Sequence, residues 1–118
     1  MKASDTAFYE MKARIIGVMA NPRRLQMVDL LGGGDKTVSE LSEAMGLRQA
    51  TTSQHLAVMR KAGVVETSRD GNYIRYRLAD HRIASACSVM SQAVANLLVT
   101  QQKKLQPVLK LAAKQRRR

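Results

Sequence analysis

Side chains able to do chemistry concentrate in two short stretches. The first, Arg48-Gln49-Ala50-Thr51-Thr52-Ser53-Gln54-His55, is rich in hydroxyl, amide and imidazole groups and contains no acid. These groups donate and accept hydrogen bonds, and no carboxylate stands among them. Their natural counterpart is a base edge in the major groove of duplex DNA. There Gln can bond adenine in bidentate fashion, Ser or Thr can meet base or phosphate, and a methyl group can meet thymine. The second stretch, Arg69-Asp70-Gly71-Asn72-Tyr73-Ile74-Arg75-Tyr76-Arg77, sets arginines around a turn, a pattern suited to phosphate oxygens.

Other reactive residues stand apart. Cys87 is the only cysteine, so no intrachain disulfide or Cys-x-x-Cys arrangement can form, which fits a reducing, cytoplasmic setting. His55 and His81 fall in different elements, the acids are scattered, and Gly32-Gly33-Gly34 follows a helical run rather than a strand. No catalytic residue, metal ligand or cofactor is expected. Cys87 reads first as a small packing residue, with a thiol switch as the alternative.

The elements that must position the first stretch are legible from periodicity. Phe8, Met11, Ile15, Val18 and Met19 recur by threes and fours, predicting a helix over Asp5–Met19. Asn21-Pro22 starts a second helix with Leu25, Val28 and Leu31 as its buried stripe, ended by the three glycines. Thr37-x-x-Glu40 is a capping box opening a third, with Val38, Leu41, Ala44 and Met45 as its apolar positions and Gly46 as its stop. Gln49 to Ala62 is a fourth, in which Thr52, Leu56 and Met59 point inward while Ala50, Thr51, Ser53, Gln54 and Ala57 point away. A helix, a Gly-containing turn and a second helix make a helix-turn-helix.

After Gly63 the period changes to two. Val64–Arg69 and Tyr73–Leu78 read as strands joined at Asp70-Gly71, with Ile74, Tyr76 and Leu78 on a packed face and Tyr73, Arg75 and Arg77 on a basic one. Asp80 caps a long last helix in which Ile83, Cys87, Met90, Val94 and Leu97 form a heptad-like seam flanked by small residues. Pro107 is expected to break or kink its end.

Composition bounds the rest. A chain of 118 residues fits one small domain, and 20 Lys and Arg against 9 Asp and Glu leave a charge of +11, a surface that seeks polyanions. Hydrophobic residues at 45% suffice for a core, and aromatics at 3% are too few for stacking single-stranded bases. No signal-peptide core is present, and no segment is read as membrane-spanning. The division expected is 1–102 as a DNA-binding and dimerisation domain and 103–118 as a basic extension, with Lys103, Lys104, Lys110, Lys114, Arg116, Arg117 and Arg118 and no acid after Asp80.

The segments Asn21-Pro22-Arg23-Arg24-Leu25, Val38-Ser39-Glu40-Leu41 and Ala50-Thr51-Thr52-Ser53-Gln54-His55-Leu56-Ala57-Val58-Met59-Arg60-Lys61-Ala62-Gly63-Val64-Val65 closely resemble the ArsR/SmtB family of winged-helix repressors. Arg69 to Tyr76 resembles that family's wing. The resemblance implies a mainly α fold with a two-stranded β-wing, in the order α-α-α-α-β-β-α, dimerising through its first and last helices. It implies a homodimeric repressor on an inverted-repeat operator in double-stranded DNA, released by an inducer. Carried over by position, Arg48, Gln49, Thr51, Ser53, Gln54 and His55 face DNA, and Arg69, Asn72 and Arg75 lie on or near the wing. The family's sensing sites are not matched. The Cys-x-Cys position holds Val38 to Ser42, and the Asp-x-His position holds Asp80-His81-Arg82, where Arg has no lone pair for a metal. The alternatives are a non-specific architectural DNA-binding protein, a redox-responsive repressor acting through Cys87, and a protein-interaction module that has kept the fold.

Overall fold

A computed structural model of the chain describes residues 1–116. The elements are α1 (Ala3–Met19), α2 (Pro22–Gly32), α3 (Val38–Met45), α4 (Gln49–Lys61), β1 (Val65–Asp70), β2 (Tyr73–Leu78) and α5 (Arg82–Arg116). Their order is the expected α-α-α-α-β-β-α. Met1–Cys87 form one compact unit, and the chain from Ser88 onward forms another.

Helix boundaries fall where free backbone groups find partners. The Asn21 side-chain oxygen accepts from the backbone N–H groups of Arg23 and Arg24, with Pro22 at the first helical position. The Glu40 N–H donates to Thr37 Oγ1 at 3.1 Å, and the Thr37 N–H donates to Glu40 Oε1 at 2.9 Å, completing the capping box. Gly46 ends α3 at φ 64°, where any larger residue would be strained.

The core unites Met27, Val28 and Leu31 of α2, Leu41 of α3, Leu56 and Met59 of α4, and Val64, Val65 and Leu78 at the base of the hairpin. Two expected stripes are corrected. Leu25 is 44% exposed and Met27 is fully buried, because Arg24, Met27, Val28 and Leu31 share one face of α2 and Leu25 lies more than a right angle from it. In α3, Ala44 is exposed and Ser42 is buried. The burial is tolerated because the Ser42 hydroxyl donates to Thr52 Oγ1 across the helix pair at 2.8 Å, and Thr52 in turn donates to the Arg48 carbonyl at 3.2 Å.

The hairpin is antiparallel, from Val65 opposite Leu78 to Asp70 opposite Tyr73, so its two-residue loop is Gly71-Asn72 rather than Asp70-Gly71. Gly71 supplies the positive φ, 61°, at the first loop position. The packed face is shorter than expected: Leu78 is buried and Tyr76 half-buried, but Ile74 is 49% exposed because the tip projects beyond the core. An isolated bridge adds Lys36 to the far edge of β2, its N–H donating to the Tyr76 carbonyl at 3.0 Å and its carbonyl accepting from the Tyr76 N–H at 2.8 Å. The start of α5 lies close to α2. A Cβ placed on Gly32 would stand 2.9 Å from the Ala84 Cβ.

From Ser88 the polypeptide is helical to Arg116, and the break expected at Pro107 does not occur. Proline removes one N–H from the ladder, and the bonded turns on either side carry the helix past it. The basic segment expected to begin at Lys103 is therefore helical through Arg116, while Arg117 and Arg118 lie outside the described residues. No charged residue interrupts α5 between Arg82 and Lys103. By length and composition α5 is apolar enough to cross a membrane. Ser, Thr, Asn and Gln are interspersed along it, so it holds no long unbroken apolar run.

Candidate nucleic-acid interface

Helix α4 is fixed from its inner side. Thr52, Leu56 and Met59 are buried, as the wheel predicts, and they leave Ala50, Ser53, Gln54 and Ala57 exposed on the outer side. Lys61 continues the outer row of Ala50, Gln54 and Ala57 at helical spacing and is also exposed, so the row ends on a cation that the expected site did not include. Its signal was the spacing from Gln54 through Ala57. Thr51 and His55 occupy one flank and are half-buried. Gln49, on the other flank, donates from Nε2 to Ser39 Oγ at 3.0 Å, which ties the first turn of α4 to α3. Arg48 is the N-cap residue of α4 and is exposed.

His55 is not a free contact. Arg24 Nε donates to its Nδ1 at 3.2 Å, and burial followed by the charges of Arg24 and Arg23 holds the imidazole below its ordinary pKa. Because arginine can only donate, a ring that accepts from it at Nδ1 is the neutral form. The 31-residue separation of Arg24 and His55 gives no periodic signal, so sequence reasoning missed this pair.

On the hairpin, Arg69 and Asn72 are exposed at and beside the tip. Arg75 is differently placed. Its Nε donates to Asp70 Oδ2 at 3.0 Å, and its Nη1 lies 3.6 Å from Glu40 Oε1 on α3. The Asp70 hydrogen bond, and then the charge of Glu40, raise the Arg75 pKa further. Glu40 thus serves the capping box and the hairpin together. Its carboxyl is held below the usual range first by its hydrogen bonds with Thr37 and then by Arg75 and Lys36. Arg77 is paired with Glu66 at 3.1 Å. Two of the three hairpin arginines therefore carry acidic partners, and Arg69 is left as the exposed cation near the tip.

The remaining candidates are engaged or weakly reactive. Arg82 contacts both carboxylate oxygens of Asp80, with Nη2 to Oδ2 at 2.7 Å, and holds the Asp80 carboxyl at a pKa of about 2. That contact occupies the acid of the Asp80-His81-Arg82 stretch. Cys87 is half-buried against the core, and burial, then the charge of Asp29, push its thiol pKa up, away from the thiolate that a reactive cysteine needs.

Comparison with known proteins agrees with this geometry. The family described as bacterial regulatory protein, arsR family, matches residues 21–67, from the Asn21 cap into β1. An HTH-type transcriptional regulator of Mycobacterium tuberculosis, Rv0081, is 38% identical over 91 residues, covering 76% of this chain and 80% of the relative. The biofilm growth-associated repressor of Xylella fastidiosa strain Temecula1 is 35% identical over 91 residues, covering 77% of this chain and 76% of the relative. The solution structure of the homodimeric winged helix-turn-helix DNA-binding domain Mb0332 from Mycobacterium bovis superposes with a TM-score of 0.72 at 31% identity, covering 86% of this chain and 93% of that one. The buried inner face of α4, the hairpin that follows it and these matches place the chain in the ArsR family of winged helix-turn-helix DNA-binding transcriptional regulators.

Proposed function

We propose that the protein is a homodimeric transcriptional repressor that sets α4 of each protomer into successive major grooves of an inverted-repeat operator. The observation that carries this reading is the division of α4 into a fully buried inner row and an exposed outer row of small and polar side chains without an acid. Gln54 and Ser53 read base edges, Thr51 and His55 contact the flank, and Gln49 and Arg48 meet the backbone near the start of the helix. Arg69 and Asn72 meet phosphates from the wing, with Arg75 behind them. Half-sites about 10 bp apart follow from the two-fold geometry.

The second copy is the occupant we assign to two exposed apolar faces. In a single chain Phe8, Met11 and Ile15 of α1 are exposed, as are Met90, Val94 and Leu97 of α5. Covering such surfaces is what a dimer of this family member would do. An inducer acting on these helices would alter the spacing of the two α4 helices and release the operator. No catalytic role and no bound cofactor enter this reading, and the protein acts in the cytoplasm, where the DNA is.

The test is affinity for a duplex selected from a random-sequence pool, compared with a scrambled duplex at fixed salt. Gln54→Ala is expected to cost about 1–3 kcal/mol on the selected duplex and little on the scrambled one, whereas Arg69→Ala weakens both and lowers the salt slope by about 1. Equal losses on both duplexes for Gln54→Ala would remove it from base reading. A wild-type preference below about tenfold for any selected sequence would make the protein an architectural binder instead.

A further inference from the structure

The least explained polar group in the body is the guanidinium of Arg24. It lies on the same face of α2 as Met27, Val28 and Leu31, a face that otherwise points into the core, yet it is only half-buried because its head reaches out to two other helices. Nη1 donates to the Val18 carbonyl at 3.1 Å, and Nε donates to His55 Nδ1 at 3.2 Å. Val18 is in the last turn of α1, where carbonyls lack helical partners and the helix dipole favours a cation. The Arg24 backbone N–H is held in turn by the Asn21 cap. One rigid fork therefore joins the end of α1, the start of α2 and the flank of α4.

We propose that Arg24 is a positioning residue for the DNA-binding face: its fork fixes His55 with the proton on Nε2, aimed as a neutral donor, and makes the setting of α4 depend on the end of α1. Chemistry dictates the tautomer. A nitrogen that accepts from Arg24 must keep its lone pair, so the ring proton resides on Nε2 and that N–H is the one His55 has left to give. A protonated ring would set an N–H against the Arg24 N–H, and burial, then the charges of Arg24 and Arg23, oppose protonation. Because the guanidinium is planar, Nε and Nη1 cannot part to follow independent movements of α1 and α4. A shift of α1 must break one of the two bonds or carry α4 with it. The DNA-facing role of His55 rests on the repressor reading above. The link between Arg24 and the ring does not.

The experiment therefore reads the ring first and the DNA second. Long-range proton–nitrogen NMR spectra of the full-length 15N-labelled protein, with His81 as the second ring, are expected to show His55 protonated on Nε2 and bare on Nδ1, titrating below 6.5. In Arg24→Met the midpoint moves up toward 6.5 and the two tautomers mix. A wild-type ring carrying its proton on Nδ1 overturns the proposal whether or not the variant folds. So does a folded Arg24→Met protein whose ring spectrum and midpoint are unchanged.

On the selected duplex, Arg24→Met and His55→Ala are each expected to weaken binding about tenfold, and the double variant to match either single one within about twofold. Additive losses, near a hundredfold, would mean that Arg24 acts on DNA by another route and would overturn the coupling. If His55→Ala binds the duplex as wild type does, the DNA half of the proposal fails with the assignment of His55. The ring spectra then still judge the link by themselves.

Discussion

The winged body and the distal part of α5 carry apolar residues at the same helical spacing, and they bury them differently. In the body, Met27, Leu41, Leu56 and Met59 are completely covered by elements of the same chain. From Ser88 onward, Met90 is 62%, Leu97 60% and Leu109 62% exposed. Hydrophobic periodicity states that a face wants covering and is silent on what covers it. The body answers from within; for the distal helix the proposed answer is a second copy of the chain. Charge separates the two as well. The acids lie between Asp5 and Asp80, and five of them pair or cap with neighbours there, whereas the residues after Arg82 add cations alone.

The sharpest way to break this contrast is to remove equivalent leucines. Leu56→Ala should cost about 2–5 kcal/mol of unfolding free energy, because it empties a packed site. Leu97→Ala, in protein dilute enough to be monomeric, should stay within about 0.5 kcal/mol of wild type. Denaturant titrations check both, and a large loss from Leu97→Ala would mean that α5 finds its cover inside one chain. Next in size, Val94→Asp should weaken self-association by at least tenfold, about 1.4 kcal/mol, while circular dichroism stays helical. Sedimentation read as a function of concentration measures it, and an unchanged dimer would move the interface elsewhere.

Smaller effects probe the polar contacts of each region. Thr37→Ala loses the hydroxyl that accepts from the Glu40 N–H and should cost about 1 kcal/mol. Thr100→Ala loses a hydroxyl bond to the Asn96 carbonyl on an exposed helix and should change the melting temperature little. The smallest concerns Asp80. Its carboxyl pKa is lowered from 3.8 to about 2 by Arg82, so the charged form favours the folded state. That contribution is present above pH 3.8 and fades as pH falls toward 2. NMR titration should find the low midpoint, and Asp80→Asn should flatten only that acid limb of the stability curve. A midpoint near 3.8 would mean that the Arg82 pair does not persist in solution.

Local signals were the most legible part of the molecule. The Asn21-Pro22 start, the Thr37–Glu40 box, the Gly46 stop and the inner row of α4 all follow from interactions within a turn or two of helix. The Gly71-Asn72 loop and the passage of α5 through Pro107 are local departures from expectation, and the others arise where the partner is distant. Ser42 is buried because Thr52 meets it from another helix, and Lys36 pairs with Tyr76 across 40 residues of sequence. Leu25 and Met27 both fit an apolar stripe until the face occupied by Arg24 is known, and it is Met27 that is buried. The candidate site reads from the sequence as a set of residue types on one helix. Its electrostatics do not, since the acids that hold Arg75 and the arginine that holds His55 come from other elements.

The Lys36–Tyr76 bridge reaches beyond the two bonds it contains. A two-stranded hairpin alone is a poor lever, because little resists its rocking about its base. With one residue of a third strand clamped beside β2, the pitch of the wing is inherited from the segment between Gly32 and Thr37. Lengthening or shortening that segment by one residue would re-aim Arg69 and Asn72 without altering either. In the proposed DNA complex that would shift the phosphate contacts of the wing while α4 stayed as it is, an adjustment separate from the base reading proposed for α4.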